Sequence, residues 1–191
     1  MAKIEIKGIG ELLGNTQEGR KALHFIIPSY QRGYRWDKQQ VEDLLNDVWE
    51  FSKKQKEEGE FYCLQPIIVK KDEQGRYVLI DGQQRLTTIF IILKCLENRI
   101  KEDYSYLENF SLEYQTRKDS KDFLDNLKEE NEDNANKNID YHFMFQTYKK
   151  CSEFFKKEGI NKGKFVDTLL VIDKKKRTRQ RYSQQCAYHL V

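Results

Sequence analysis

At 191 residues, with 34% charged and 13% aromatic residues, the chain has the size of one domain, or one domain with an appended half, and is too aromatic for a disordered polymer. A mean hydropathy of −0.84, with no apolar run near the roughly 20 residues of a membrane span, leaves no membrane partner to expect. The net charge of +3 is uneven: Lys174, Lys175, Lys176, Arg177, Arg179 and Arg181 carry six positive charges, and removing them leaves −3, so any nucleic-acid contact has to be local.

The opening MAKIEIKGIG lacks the apolar core of a signal peptide. Cys63, Cys95, Cys151 and Cys186 are scattered without a CxxC pair, and with only three histidines a zinc site is not expected. Scattered cysteines without an export signal fit reduced thiols and a cytoplasmic location.

In chain order, Ile4–Leu13 reads as a short strand or helical turn, and Leu23–Ile27, closed by Pro28, as a strand. Asp37 then opens a helix. Val41, Leu44, Leu45 and Val48 fall at i, i+3, i+4 and i+7 on one apolar face. Gln40, three residues after Asp37, completes a capping-box pattern. Leu64–Lys70 and Arg76–Ile80 flank a polar turn and predict a β-hairpin, with Pro66 marking a strand start or sheet edge. Asp81-Gly82 breaks the second strand. A helix follows whose buried side runs through Leu86, Phe90, Leu93 and Leu96–Ile100.

Beyond Lys101 the text changes to charged helical segments with spaced aromatics. Asn131–Asn138 reads as an exposed polar loop. The expected organisation is α+β: a unit over residues 1–100, a helical part over 101–173, and a basic tail over 174–191 with no helix or strand period.

Two stretches carry chemistry. In Asp81–Arg85 a strand ends, Gly82 turns the chain and a helix begins, so unpaired N–H groups face outward and favour an anion. Arg85 offers a bidentate guanidinium to phosphate. Gln83 and Gln84 are candidates to read a base or ribose or to orient a water, and Thr87 and Thr88 to reach phosphate if the first turn loosens. Asp81 is a candidate Mg2+ ligand through water, or a plain N-cap. A strand–Asp–Gly–helix junction also occurs without function, and the chain has no GxxxxGK[ST] loop. In Tyr30–Trp36, Arg32 and Arg35 can meet phosphates while Tyr30, Tyr34 or Trp36 stacks on a base, or the same side chains can pack on one another as cation–π pairs. The run Lys174–Arg181 is a solvated tail or a nucleic-acid contact.

Together, IPSYQRGYRW and YVLIDGQQRLTT, in this order with a helix and a hairpin between them, resemble the N-terminal domain of the GmrSD-type restriction endonucleases. The resemblance implies a ParB/sulfiredoxin-like α+β fold over about residues 4–100 and a nucleotide site. Asp81, Gly82, Gln83, Gln84 and Arg85 would line it, with Tyr30, Gln31, Arg32, Tyr34 and Trp36 flanking the same pocket. It further implies a nucleoside triphosphate ligand, Mg2+ if that ligand is hydrolysed, DNA as a partner and possible pairing with a separate nuclease subunit.

Two features depart from the family. Its usual Leu-Gly pair before the hairpin is replaced by Leu64-Gln65-Pro66. Its frequent HNH nuclease part is absent, and His24, His142 and His189 form no such set. Three other readings stay open: a non-enzymatic DNA-binding module, a ParB-like nuclease, and a truncated remnant. The motifs hold no cluster of acids and histidines of the kind metal-assisted cleavage needs.

Overall fold

The computed structural model describes residues 5–55, 57, 60–130, 132–170 and 186–190, the last of these as backbone only. The basic run Lys174–Arg181 lies outside them. The strands are β1 (Glu5–Gly8), β2 (Gly14–Asn15), β3 (His24–Ile27), β4 (Tyr62–Cys63), β5 (Ile68–Lys71), β6 (Tyr77–Asp81), β7 (Leu107–Glu108), β8 (Ser111–Tyr114) and β9 (Cys186–Leu190). The helices are α1 (Lys38–Lys53), α2 (Gln83–Cys95), α3 (Glu97–Asp103), α4 (Ser120–Asp125), α5 (Glu132–Ala135), α6 (Ile139–Lys156) and α7 (Lys162–Leu170), with a 3-10 turn at Ile9–Glu11. The fold is α+β.

The central sheet has the order β5-β6-β3-β8. β3 is parallel to both of its neighbours, pairing Phe25 with Tyr77 and Leu112, while β5 and β6 form the expected antiparallel hairpin with a bulge at Ile68/Val69. A strand between two parallel partners is buried on both faces, and Phe25, Ile26 and Ile27 are buried accordingly. Phe110 joins the sheet to its helical cover, meeting Phe25 and Phe90 edge to face at 5.4 and 5.5 Å.

α1 forms as its pattern predicts. Asp37 accepts from the N–H groups of Gln39 and Gln40, Gln40 answers the Asp37 N–H, and Val41, Leu44, Leu45 and Val48 are buried. α2 differs from the one-sided helix expected. Leu86 through Leu93 are buried without a break, because α2 lies within the core in contact with α6, which also packs on α1. α2 stops at Cys95, and Ile100 is buried from the separate helix α3. The polar stretch at 131–138 contains the short helix α5, whose Ala135 is buried. The ending, which shows no strand period, supplies β9, which pairs antiparallel with β1 and parallel with β4. Among the described residues Cys95 and Cys151 are free thiols, and no helix is long and apolar enough to cross a membrane.

Candidate functional site

Parallel strands align their carboxyl ends, and in open sheets a ligand crevice forms beyond those ends where the connections diverge. Here the chain leaves β3 into Pro28–Asp37, leaves β6 into Gly82 and leaves β8 into Gln115. All three exits lie on one edge. Gln115 ties them together: its N–H donates to Ile27 O at 3.0 Å and its Oε1 accepts from Ser29 N at 3.1 Å.

The two motifs interlock at this edge. Gln84 Oε1 accepts from the backbone N–H of Arg35 at 2.8 Å and of Trp36 at 3.2 Å, and its Nε2 donates to Gly33 O at 3.0 Å. Gln83 Nε2 donates to Arg32 O at 2.7 Å. In return, Gln31 Nε2 donates to Ile80 O at 2.7 Å, and Tyr30, 71% exposed, reaches Leu79 O with its hydroxyl at 3.5 Å. The two glutamines thus do different things. The Gln84 amide is committed on both ends. Gln83 is 4% exposed, and its Oε1 is buried with no hydrogen-bond partner.

Asp81, the candidate N-cap, instead ends β6 as an exposed residue. Gly82 takes the cap position at φ +89°, with no side-chain cap. A Cβ at Gly82 would lie 3.0 Å from Ile67 Cγ1, so both the turn and the close approach favour glycine. Arg85 projects outward. Its Nη1 donates to Pro66 O at 2.9 Å and its Nη2 to Gln65 Oε1 at 2.7 Å. Gln65 holds a positive φ of +71°. The departure from Leu-Gly therefore keeps a left-handed backbone at the place where the resemblance supplies glycine, and Arg85 clasps it. Beside this clasp is a cavity of about 280 Å3 whose wall includes Trp36, Gln40, Asp43, Tyr62 and Arg85.

Thr87, Thr88 and Tyr34 sit inward. Thr87 Oγ1 meets Tyr114 Oη at 2.7 Å; Tyr34 Oη lies between Thr88 Oγ1 at 2.7 Å and Thr147 Oγ1 at 3.0 Å. Thr88 Oγ1 also donates to Gln84 O at 2.9 Å. Burial pushes the Tyr34 and Tyr114 phenols well above their ordinary pKa, so both stay neutral and serve as hydrogen-bonding struts. At these positions the threonine hydroxyls hold the motif helix against its neighbours and point away from the exposed edge.

The sequence reading missed Asp140. This fully buried carboxylate in the first turn of α6 pairs with Arg35 through Oδ1, and Arg117 Nε approaches Oδ2 to 3.0 Å without hydrogen-bond alignment. Gly33 packs directly on it. A charged residue opening an amphipathic helix looks like ordinary N-terminal decoration; its only local signal was an acid placed beside an Asn138 cap.

Among the described residues no group of three or more His, Cys, Asp or Glu is arranged to hold a metal ion. No curated protein sequence matches the chain. Residues 9–188 match the family model described as GmrSD restriction endonuclease, N-terminal domain. That match spans both interlocked motifs, the sheet that presents them and the helix carrying Asp140, and the chain therefore belongs to the family of GmrSD restriction endonuclease N-terminal domains, a module of restriction systems.

Proposed function

We propose that the chain is the nucleotide-binding and NTP-hydrolysing regulatory module of a modification-dependent DNA restriction system. The observation that carries this reading is the buried, unpartnered Oε1 of Gln83 at the start of α2. A buried acceptor left empty costs about 1–3 kcal/mol, and a water molecule fills it well. A glutamine amide is no base, but it can orient a water for attack on the terminal phosphorus. The new P–O bond forms as the bridging P–O bond breaks, and the water's proton passes to a phosphate oxygen.

Arg85, in the same first turn of α2, lines the cavity of about 280 Å3 with two of its nitrogens donating to Gln65 and Pro66. Its remaining N–H donors are left for phosphate oxygens. Mg2+ suits this donor set only in company with the nucleotide, since it commonly takes one or two carboxylates with substrate phosphates and several waters. Asp81, exposed and with no ion pair among the described residues, is the residue to hold it. Bound there, the ion would neutralise phosphate charge. DNA and a separate nuclease subunit are the proposed partners, and the cytoplasm the proposed location.

Turnover of the four NTPs with Mg2+ tests the reading. Gln83→Leu is expected to keep NTP affinity and lose about a hundredfold or more in turnover, whereas Arg85→Ala is expected to lose affinity. A wild-type protein that hydrolyses no NTP, or a Gln83→Leu variant that turns over at the wild-type rate, would end it.

A further inference from the structure

Trp36 has a second side. Away from Arg85 it walls another cavity, of about 360 Å3, together with Asp37, Lys38, His142, Phe143 and Gln146. Its aromatic surfaces come from both flanks: Trp36 where the motif loop enters α1, and Phe143 with His142 on α6. The last two meet edge to face at 5.9 Å and 85°. Arg35 lies over Phe143 at 5.6 Å.

Asp37 caps α1 and Thr147 meets Tyr34, but four other polar groups around these surfaces are idle. Among the described residues no hydrogen bond or ion pair engages the Trp36 indole N–H, the Lys38 ammonium, the His142 ring nitrogens or the Gln146 amide. Such convergence of unused donors and acceptors on aromatic walls is poor design for a lipid or an apolar helix, which would strand them. It suits a flat heteroaromatic ring with polar edges.

We propose that this cleft seats one nucleobase. Trp36 and Phe143 supply stacking faces. The Gln146 amide donates and accepts side by side, as an edge-reading residue must. Lys38 at the α1 start meets the phosphate attached to the base's sugar. The cleft and the Arg85 cavity share only Trp36 in their walls, so Trp36 divides them. Because Gln84 Oε1 accepts from the Trp36 backbone N–H at 3.2 Å, a base pressing on Trp36 bears on the first turn of α2. The same ring chemistry reaches the cleft from a free nucleotide or from an unstacked base of a nucleic acid strand.

The test uses the full chain as wild type, Gln146→Ala and Phe143→Ala, with folding checked by thermal melting. Probes are the four NTPs with Mg2+, inorganic tripolyphosphate, a short single-stranded DNA, and its abasic counterpart. Loss of a base contact of this kind weakens binding about five- to a hundredfold. We expect that loss for NTPs or for base-bearing DNA, with tripolyphosphate and the abasic strand unaffected. A loss confined to NTPs identifies the base of a free nucleotide; a loss confined to DNA identifies a strand base. Wild-type affinity of both variants for every base-bearing probe, equal losses for the baseless probes, or a wild-type protein that binds no base-bearing probe overturns the proposal. If Phe143→Ala does not fold, Gln146→Ala decides alone, since its amide supports nothing else among the described residues. Turnover by Gln83→Leu is read separately, so the cleft can fail while hydrolysis stands, and the reverse.

Discussion

Gly33 leaves no room for a side chain against Asp140: a Cβ built on it would sit 2.1 Å from Asp140 Oδ1. The carboxylate cannot step aside, because it is buried and paired with Arg35 and Arg117. Gly33→Ala is therefore expected to destabilise the protein by about 1–3 kcal/mol, the usual cost of overpacking. Urea unfolding checks this, and a variant as stable as wild type would show that the loop has slack.

Asp140→Asn removes the charge and keeps the shape. Taking one partner from a buried pair typically costs about 3–5 kcal/mol. Arg35 and Arg117 are each about a third exposed and can turn to water, so a loss of about 2–3 kcal/mol is expected. A double-mutant cycle with Arg35→Met isolates the Asp140–Arg35 share; additive losses would mean that the pair is not coupled.

Gln84→Ala frees the N–H groups of Arg35 and Trp36 together. Since Trp36 is one of only two tryptophans, its altered seating is expected to show in the emission spectrum, along with a stability loss of about 1–3 kcal/mol. Unchanged emission would argue that Gln84 does not set the tryptophan.

At Gln65 two variants separate backbone from side chain. Both Gln65→Gly and Gln65→Ala lose the bond to Arg85, but only alanine keeps the steric penalty of φ +71°. Gln65→Gly is expected to be the more stable of the two by about 1 kcal/mol. Equal melting temperatures would contradict the left-handed assignment.

Glu42 joins α1 to α6. Hydrogen bonds from Lys150 and then Lys157 hold its carboxyl below the usual 4.5. A carboxyl depressed in the folded state contributes stability that is complete above its unfolded pKa and is lost as pH falls through the folded value. Wild type is expected to lose stability from about pH 4.5 downward, and Glu42→Gln to lose less over that interval. Parallel acid-denaturation curves for the two proteins would count against it.

Local signals in the sequence were honest where local forces decide. The Asp37–Gln40 cap, the apolar face of α1 and the β5–β6 hairpin all form as their patterns imply, because each is settled within a dozen residues. What stayed hidden was settled at a distance. β8 is four residues long and takes its place from β3, 87 positions earlier. β9 becomes a strand through β1 and β4 rather than through its own pattern. Thr87 and Thr88 resemble phosphate ligands in one dimension; only the arrival of Tyr114 and Tyr34 shows that their hydroxyls are spent. The division of labour between Gln83 and Gln84, two identical neighbours, has no signature in sequence at all.

The pairing of Arg35 with Asp140 spans 105 positions, and that of Tyr34 with Thr147 spans 113. A ribosome releases the motif loop long before it releases α6. Until that helix docks, Gly33 has no wall, Arg35 no counter-ion and Tyr34 only one of its two hydroxyl partners. The nascent chain can build its sheet and helix α2 first, but it acquires an ordered motif loop only once α6 has been made and has docked.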